Sequence, residues 1–175
     1  MRYLIPFLAC PVIATAEPQP AVADLMGYTT GISHCLDVAE TADQARGCVG
    51  PSSSACMDTE QDGYSTVGMM FCTLAEYEAW DAELNTVYQS LLDGMRREDA
   101  QEAESFPEFA NRAESLRDAQ RAWIPLRDAD CGLEYALWGA GSMRQIAGAS
   151  CLLDRTAQRV IYLKYLGSDM QGDNP

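Results

Sequence analysis

The chain has 175 residues, with 26 acidic side chains against 12 basic ones, a single histidine and a net charge of −14. A surface of that sign repels nucleic acid and anionic lipid and attracts cationic partners; one histidine excludes clustered histidine metal sites and makes a histidine-based triad hard to build. Seven cysteines in a chain this short point to disulfides in an oxidising compartment rather than to thiol chemistry.

The first sixteen residues read as a cleaved secretory signal peptide. Arg2 supplies a short positive start, residues 3–13 are mostly apolar but too short to span a bilayer, and Ala14-Thr15-Ala16 is a small-residue cleavage site. Leu8-Ala9-Cys10 partly fits a lipobox, but Cys10 precedes a full hydrophobic region and apolar residues continue after it. Cleavage after Ala16 is therefore preferred to lipid attachment. Export removes Arg2 alone among the charges, leaving 11 basic residues against 26 acidic ones and a net charge of −15. The expected location is periplasmic or secreted, with no stable membrane insertion. Six cysteines remain: Cys35, Cys48, Cys56, Cys72, Cys131 and Cys151. Sequence leaves their connectivity open, but short loops close most readily, which favours pairing them in order as 35–48, 56–72 and 131–151.

Residues 17–23, with Pro18 and Pro20, read as a flexible leader. Residues 24–40 predict a short helix around Ile32, Cys35, Leu36 and Ala39. Thr41-Ala42-Asp43-Gln44 is a capping box opening another short helix that Gly47 ends. Residues 17–50 thus form an N-terminal extension. Pro51-Ser52-Ser53-Ser54 reads as a linker, and residues 56–63 as polar and irregular, with Asp62-Gly63 a turn signal. From about Thr66 to about Arg96, Tyr77, Trp80, Leu84, Val87 and Leu91 step by three and four. That spacing predicts one long helix, with Asp81, Glu83 and Asn85 off its apolar stripe.

Residues 98–108 carry Pro107 and five carboxylates and read as an acidic helix–helix connection. A second long helix is predicted from about Pro107 through Trp123 toward Trp138. A kink or short break is expected between Arg121 and Pro125, because a proline ring removes one hydrogen bond and collides with the preceding turn. Gly139-Ala140-Gly141 ends that helix. Ser142-Met143-Arg144-Gln145 is a second capping box, and Ile146, Ala149, Leu152, Leu153, Val160, Leu163 and Leu166 give the last helix its stripe. Gly167 is a natural stop, and residues 167–175 read as a loose tail. No alternating strand pattern of useful length occurs. The expected fold is all-α, a small disulfide-stapled helical bundle over residues 51–166 with two or three long helices and short N-terminal ones.

Little of this suggests catalysis. His34 beside Cys35 could activate a thiolate only if Cys35 were reduced. Met69, Met70 and Cys72 are soft ligands for Cu(I), but methionines at the start of an amphipathic helix are ordinary core filler. No pair of carboxylates stands out as an acid/base couple. No catalytic residue, metal or cofactor is expected, and the chain does not read as an enzyme. Leu116, Gln120, Trp123 and Arg127 share one helical face, so Arg127 is expected to pair with a carboxylate in the helix packing, while Trp80 and Trp123 are core residues. The candidate partner-facing groups are Glu98, Asp99, Glu102 and Glu104 in the acidic connection, and Tyr135, Trp138, Gly141 and Ser142 at the turn beside the Cys131–Cys151 pair.

These pieces resemble the LprI-type lysozyme-inhibitor family of small, exported, cysteine-bearing helical domains. The matching residues are Cys72 followed by Trp80-Asp81-Ala82-Glu83-Leu84-Asn85 and Tyr88, then Gln120-Arg121-Ala122-Trp123-Ile124 with Arg127-Asp128 and Cys131. Gly141-Ser142, Cys151, Thr156 and Arg159 complete a match over roughly residues 56–166. Three features depart from the family: a longer segment between Cys56 and Cys72, an added element around Cys35 and Cys48, and Pro125. The resemblance implies a non-enzymatic envelope protein whose relatives include inhibitors of lysozyme, and so a cationic lysozyme as partner. Trp80, Asp81, Leu84, Asn85, Gln120, Trp123, Arg127, Asp128 and Arg159 are read as structural motif residues. The alternative is a structural or stress-related envelope protein with another periplasmic partner and no lysozyme target.

Overall fold

Ser65 caps the longest element: its hydroxyl accepts the Gly68 N–H at 3.0 Å, and 37 residues of helix follow as α5, Thr66–Glu102. Trp80, Leu84, Leu92 and Met95 form its buried stripe, Trp80 with no exposed surface at all. Against it, α7 (Arg144–Gly172) lays Leu153, Ala157, Val160 and Leu163, and α6 (Arg112–Leu137) adds Ala113 and Leu116 to the same core. The α5–α7 pairing is the most extensive in the molecule, and α6 packs mainly on α7. A computed structural model describes residues 19–172. The expected signal peptide, with Cys10 and the cleavage site at Ala16, lies outside them, as do residues 17–18 and 173–175. Among the described residues the fold is all-α, with no strand.

Among the described residues, four short α-helices precede α5: α1 (Pro20–Ala23), α2 (Ile32–Val38), α3 (Ala42–Arg46) and α4 (Pro51–Thr59). The capping box at Thr41 forms as expected, with the Gln44 N–H on the threonine hydroxyl and the Gln44 side chain on the Thr41 N–H. Disulfides pair in order, Cys35–Cys48, Cys56–Cys72 and Cys131–Cys151. The second ties α4 to α5 and the third ties α6 to α7.

Several local readings are corrected. Residues 20–23 are a helical turn that buries Val22, not flexible leader. Residues 24–40 split into a 3-10 turn, Met26–Thr29, and α2, with Gly31 between them. The Pro51-Ser52-Ser53-Ser54 linker is the first turn of α4, and Cys56 is helical too. The cause is distant in sequence. Glu76 of α5, fully buried, accepts the Gly50 N–H at 2.6 Å and the Ser53 N–H at 2.7 Å, placing a carboxylate at the positive end of α4. Pro51 at the first helical position leaves no N–H to satisfy.

Further along, α5 runs past Arg96 and absorbs Glu98, Asp99 and Glu102. Pro107–Phe109 is a 3-10 turn, so the second long helix starts only at Arg112. No break occurs near Pro125: α6 is continuous through it, with Arg121 and Pro125 on an exposed face where water can take the freed carbonyl. The last helix starts at Arg144, which leaves Ser142 outside the capping position. Nor does Gly167 stop it. A Cβ there would lie 3.2 Å from a methyl of Leu91, so this glycine permits close packing on α5 while α7 continues to Gly172.

Candidate partner-binding site

The face of α6 predicted from Leu116, Gln120, Trp123 and Arg127 is the face that meets α7, and it ends in the buried Cys131. Trp123 is only partly buried, unlike Trp80, and its ring is lined by cations. The Arg127 guanidinium lies 5.2 Å from its centroid and that of Arg159 5.6 Å. Arg127 also reaches Asp128 at 2.9 Å, Asp81 at 3.5 Å, the Thr156 hydroxyl at 3.5 Å and the Tyr77 ring at 5.9 Å. Burial pushes its pKa down, but Tyr77, Asp128 and Asp81 more than offset this and hold it above the usual arginine value. Arg159 donates to the Gln120 amide oxygen at 2.9 Å and stacks 5.4 Å from Tyr162; burial holds its pKa below the usual value. Asp81, Gln120, Trp123, Arg127, Asp128, Thr156 and Arg159 thus converge on one cluster that joins α5, α6 and α7. Asn85 stands apart, exposed and bonded to the Asp81 carbonyl of its own helix.

Beyond Cys131 the α6–α7 hairpin leaves the core. Trp138 closes α6, Gly139 adopts φ +51°, and the Gly141 N–H returns to the Trp138 carbonyl at 2.9 Å. A Cβ on Gly141 would lie 3.0 Å from that carbonyl, so the turn is built for glycine. Tyr135 packs against Gly148 and carries the Arg144 guanidinium 5.4 Å from its ring, while Arg144 also bonds the Gly139 carbonyl. Leu137, Trp138 and Met143 project into solvent at 70%, 49% and 39% exposure. The Cys131–Cys151 bridge braces both legs just below them.

The acidic end of α5 is largely committed elsewhere. The Asp99 carboxylate accepts the Arg112 and Ala113 N–H groups at 3.0 and 2.9 Å and so caps α6, while Glu102 and Glu98 reach the Arg112 guanidinium at 3.0 and 3.8 Å. Of the four candidate carboxylates there, Glu104 alone stands in a fully exposed segment of the connection. Partial burial pushes the Asp99 carboxyl up, but the two backbone donors and the guanidinium outweigh it and hold the pKa below the usual carboxylate range. A carboxyl depressed in this way stabilises the fold above its unfolded pKa and loses that contribution as pH falls through the lower folded value. Asp99→Asn should therefore lower the urea midpoint at neutral pH, and the deficit should shrink and then vanish as pH falls below the usual carboxylate range. A deficit constant across that range would show that ionisation plays no part.

Two chemical readings close here. Cys35 and Cys72 are both in disulfides, which removes the His34-activated thiolate and the thiolate ligand for copper. A cleft of about 730 Å³ between α3 and α7 is lined by Arg46, Tyr162, Tyr165 and Asp154, whose carboxyl is raised first by burial and then by Glu76. Glu76 itself was missed at the sequence level, although it lies one turn before Trp80 on the buried stripe, an unusual place for a charge.

The family model described as lysozyme inhibitor LprI matches residues 56–163. The chain belongs to the LprI lysozyme-inhibitor family. It is also 31% identical over 120 residues to an uncharacterized protein of Rhizobium meliloti (strain 1021), covering 68% of this chain and 86% of that one. No solved structure matches. The LprI match takes in α5, α6, most of α7 and two of the three disulfides, and begins within α4, so that α1 to α3 lie ahead of it.

Proposed function

We infer that the protein inhibits a lysozyme by seating the tip of the α6–α7 hairpin in the enzyme's cleft, with its negative field speeding the encounter. The observation that carries this reading is the tip itself: exposed Leu137, Trp138 and Met143 on a glycine turn braced by a disulfide. Aromatic anchors dominate binding energy at interfaces, and an element already ordered loses little entropy on docking. A convex, rigid turn suits a concave saccharide cleft. Arg144 is the tip's cation, and glycoside-cleaving sites flank the scissile bond with two carboxylates that a guanidinium can meet. Family membership supports the target class. The charge of −14 supports steering, since many lysozymes are strongly cationic. On this reading the protein is non-enzymatic, needs no cofactor and works in the periplasm or outside the cell, where its disulfides persist.

Cell-wall turbidity assays with stopped-flow binding test both halves of the idea. Between ionic strengths of about 0.01 M and 0.15 M the Debye length falls from about 30 Å to about 8 Å. Association should slow about tenfold or more, while dissociation changes little. Absence of inhibition across several lysozyme classes would remove the target, and a pull-down from periplasmic extract would then identify the partner of the alternative, an envelope protein of another kind.

A further inference from the structure

Arg46, Arg96, Arg112, Arg121, Arg127 and Arg155 each pair with a carboxylate. Arg159 does not. The chain holds 26 acidic residues, yet among the described residues none forms an ion pair with it. Neutral groups hold it instead. The Gln120 amide oxygen accepts its Nε–H at 2.9 Å, and the rings of Trp123 and Tyr162 lie 5.6 and 5.4 Å from its guanidinium carbon. A glutamate in place of Gln120 would have nearly the same shape and would neutralise the cation, whereas the amide fixes the guanidinium and leaves its charge standing. The two Nη groups make no hydrogen bond within the protein. No buried side-chain nitrogen among the described residues lacks a partner, so both groups reach the surface. Arg97 and Arg117 also lack a carboxylate, but no ring or hydrogen bond holds either in place. Away from the hairpin tip, Arg159 is the one arginine among the described residues that joins a fixed orientation to an uncompensated charge. A partly buried cation in that condition is completed by an anion from outside.

We propose that Arg159 anchors a site for a small monocarboxylate, whose two oxygens take the paired N–H donors of the free Nη edge while its body lies over Tyr162 at the rim of the cleft between α3 and α7. The fork is already set in one plane by the two rings and Gln120, so little ordering is left for binding to impose. Tyr162, 56% exposed, borders both parts. It stacks on Arg159 and also lines the cleft of about 730 Å³, together with Ile161, Tyr165 and Leu166. Clefts of that volume hold small organic molecules against apolar and aromatic side chains, with a few polar groups to orient them. Charge selects the anion. Asp154 is the one carboxylate among the residues lining the cleft, and the whole chain carries −14, so a dianion such as phosphate is repelled more strongly than a monoanion. Arg46, on the α3 wall, is already paired with Asp43. The carboxylate is that of a free organic acid or of the C-terminus of a short peptide. The site is separate from the hairpin tip and does not depend on lysozyme as the target.

Titration of the oxidised chain with phenylacetate, followed through the Nε–H resonance of Arg159, tests this. Saturable binding with a dissociation constant on the order of 1 mM is expected, with acetate about tenfold weaker and phosphate not saturating by about 50 mM. N-acetylphenylalanine binding more tightly than phenylacetate assigns the carboxylate to a peptide C-terminus, and the reverse order assigns it to a free acid. Gln120→Glu should weaken phenylacetate about tenfold or more without lowering the melting temperature, because it gives Arg159 a carboxylate of the protein's own. Arg159→Lys keeps the charge, loses the fork and should weaken binding about tenfold. Tyr162→Ala, at an exposed position, should weaken phenylacetate about fivefold and acetate little. An Arg159 that only braces α6 on α7 would leave the phenylacetate affinity of Gln120→Glu unchanged. That result overturns the proposal, as does a titration that does not saturate by about 100 mM, or phosphate binding as tightly as phenylacetate.

Discussion

Trp80→Ala should lower the unfolding free energy by about 3–5 kcal/mol, a large fraction of the roughly 5–15 kcal/mol that a domain holds. The indole has no exposed surface and sits in the one core that α5, α6 and α7 share, so its removal leaves a cavity that three braced helices cannot readily close. A second loss adds to the first. The indole N–H lies 3.4 Å from a carboxylate oxygen of Glu76, a fully buried charge otherwise held by two backbone donors from the start of α4. Without the indole one donor disappears while the charge stays buried. Trp80→Phe separates the two contributions: it keeps most of the packing, loses the donor and should cost clearly less than alanine. Urea unfolding with an unchanged denaturant slope is the measurement. A cost below about 1 kcal/mol for Trp80→Ala would mean that the bundle is not organised around this residue.

The second large effect concerns binding. Trp138→Ala should weaken lysozyme inhibition by about 2 kcal/mol, roughly 30-fold, and leave thermal stability almost unchanged. The side chain is half exposed at the end of α6, and surface substitutions of that kind usually alter stability by no more than about 0.5 kcal/mol. Trp138→Phe should restore part of the loss. Glu104→Gln, in the exposed connection, should shift only the association rate, and by about twofold. The opposite result, full inhibition in Trp138→Ala with loss in Glu104→Gln, would move the contact surface from the hairpin to the acidic end of α5.

Periodicity carried the long elements well. Trp80, Leu84, Val87 and Leu91 announced α5, and the stripe from Ile146 to Leu166 announced α7, because side chains three and four apart must share a face. Loop length carried the disulfide order. What stayed hidden were effects whose cause lies on another element. Pro51-Ser52-Ser53-Ser54 looks like a linker until Glu76, more than twenty residues on, caps it. Gly167 looks like a stop until Leu91 shows why a side chain would not fit. Glu98, Asp99 and Glu102 look like free charges until Arg112 and the N-terminus of α6 engage them.

The order of the sulfur bridges bears on how the chain is made. Each joins neighbours along the sequence, 13, 16 and 20 residues apart, and no loop encloses another. In a polypeptide that enters an oxidising space N-terminus first, Cys48 joins Cys35, Cys72 joins Cys56 and Cys151 joins Cys131, each pair complete before the next begins. An oxidase working on the emerging chain can therefore join them correctly in succession, and the finished molecule owes little to later reshuffling by an isomerase.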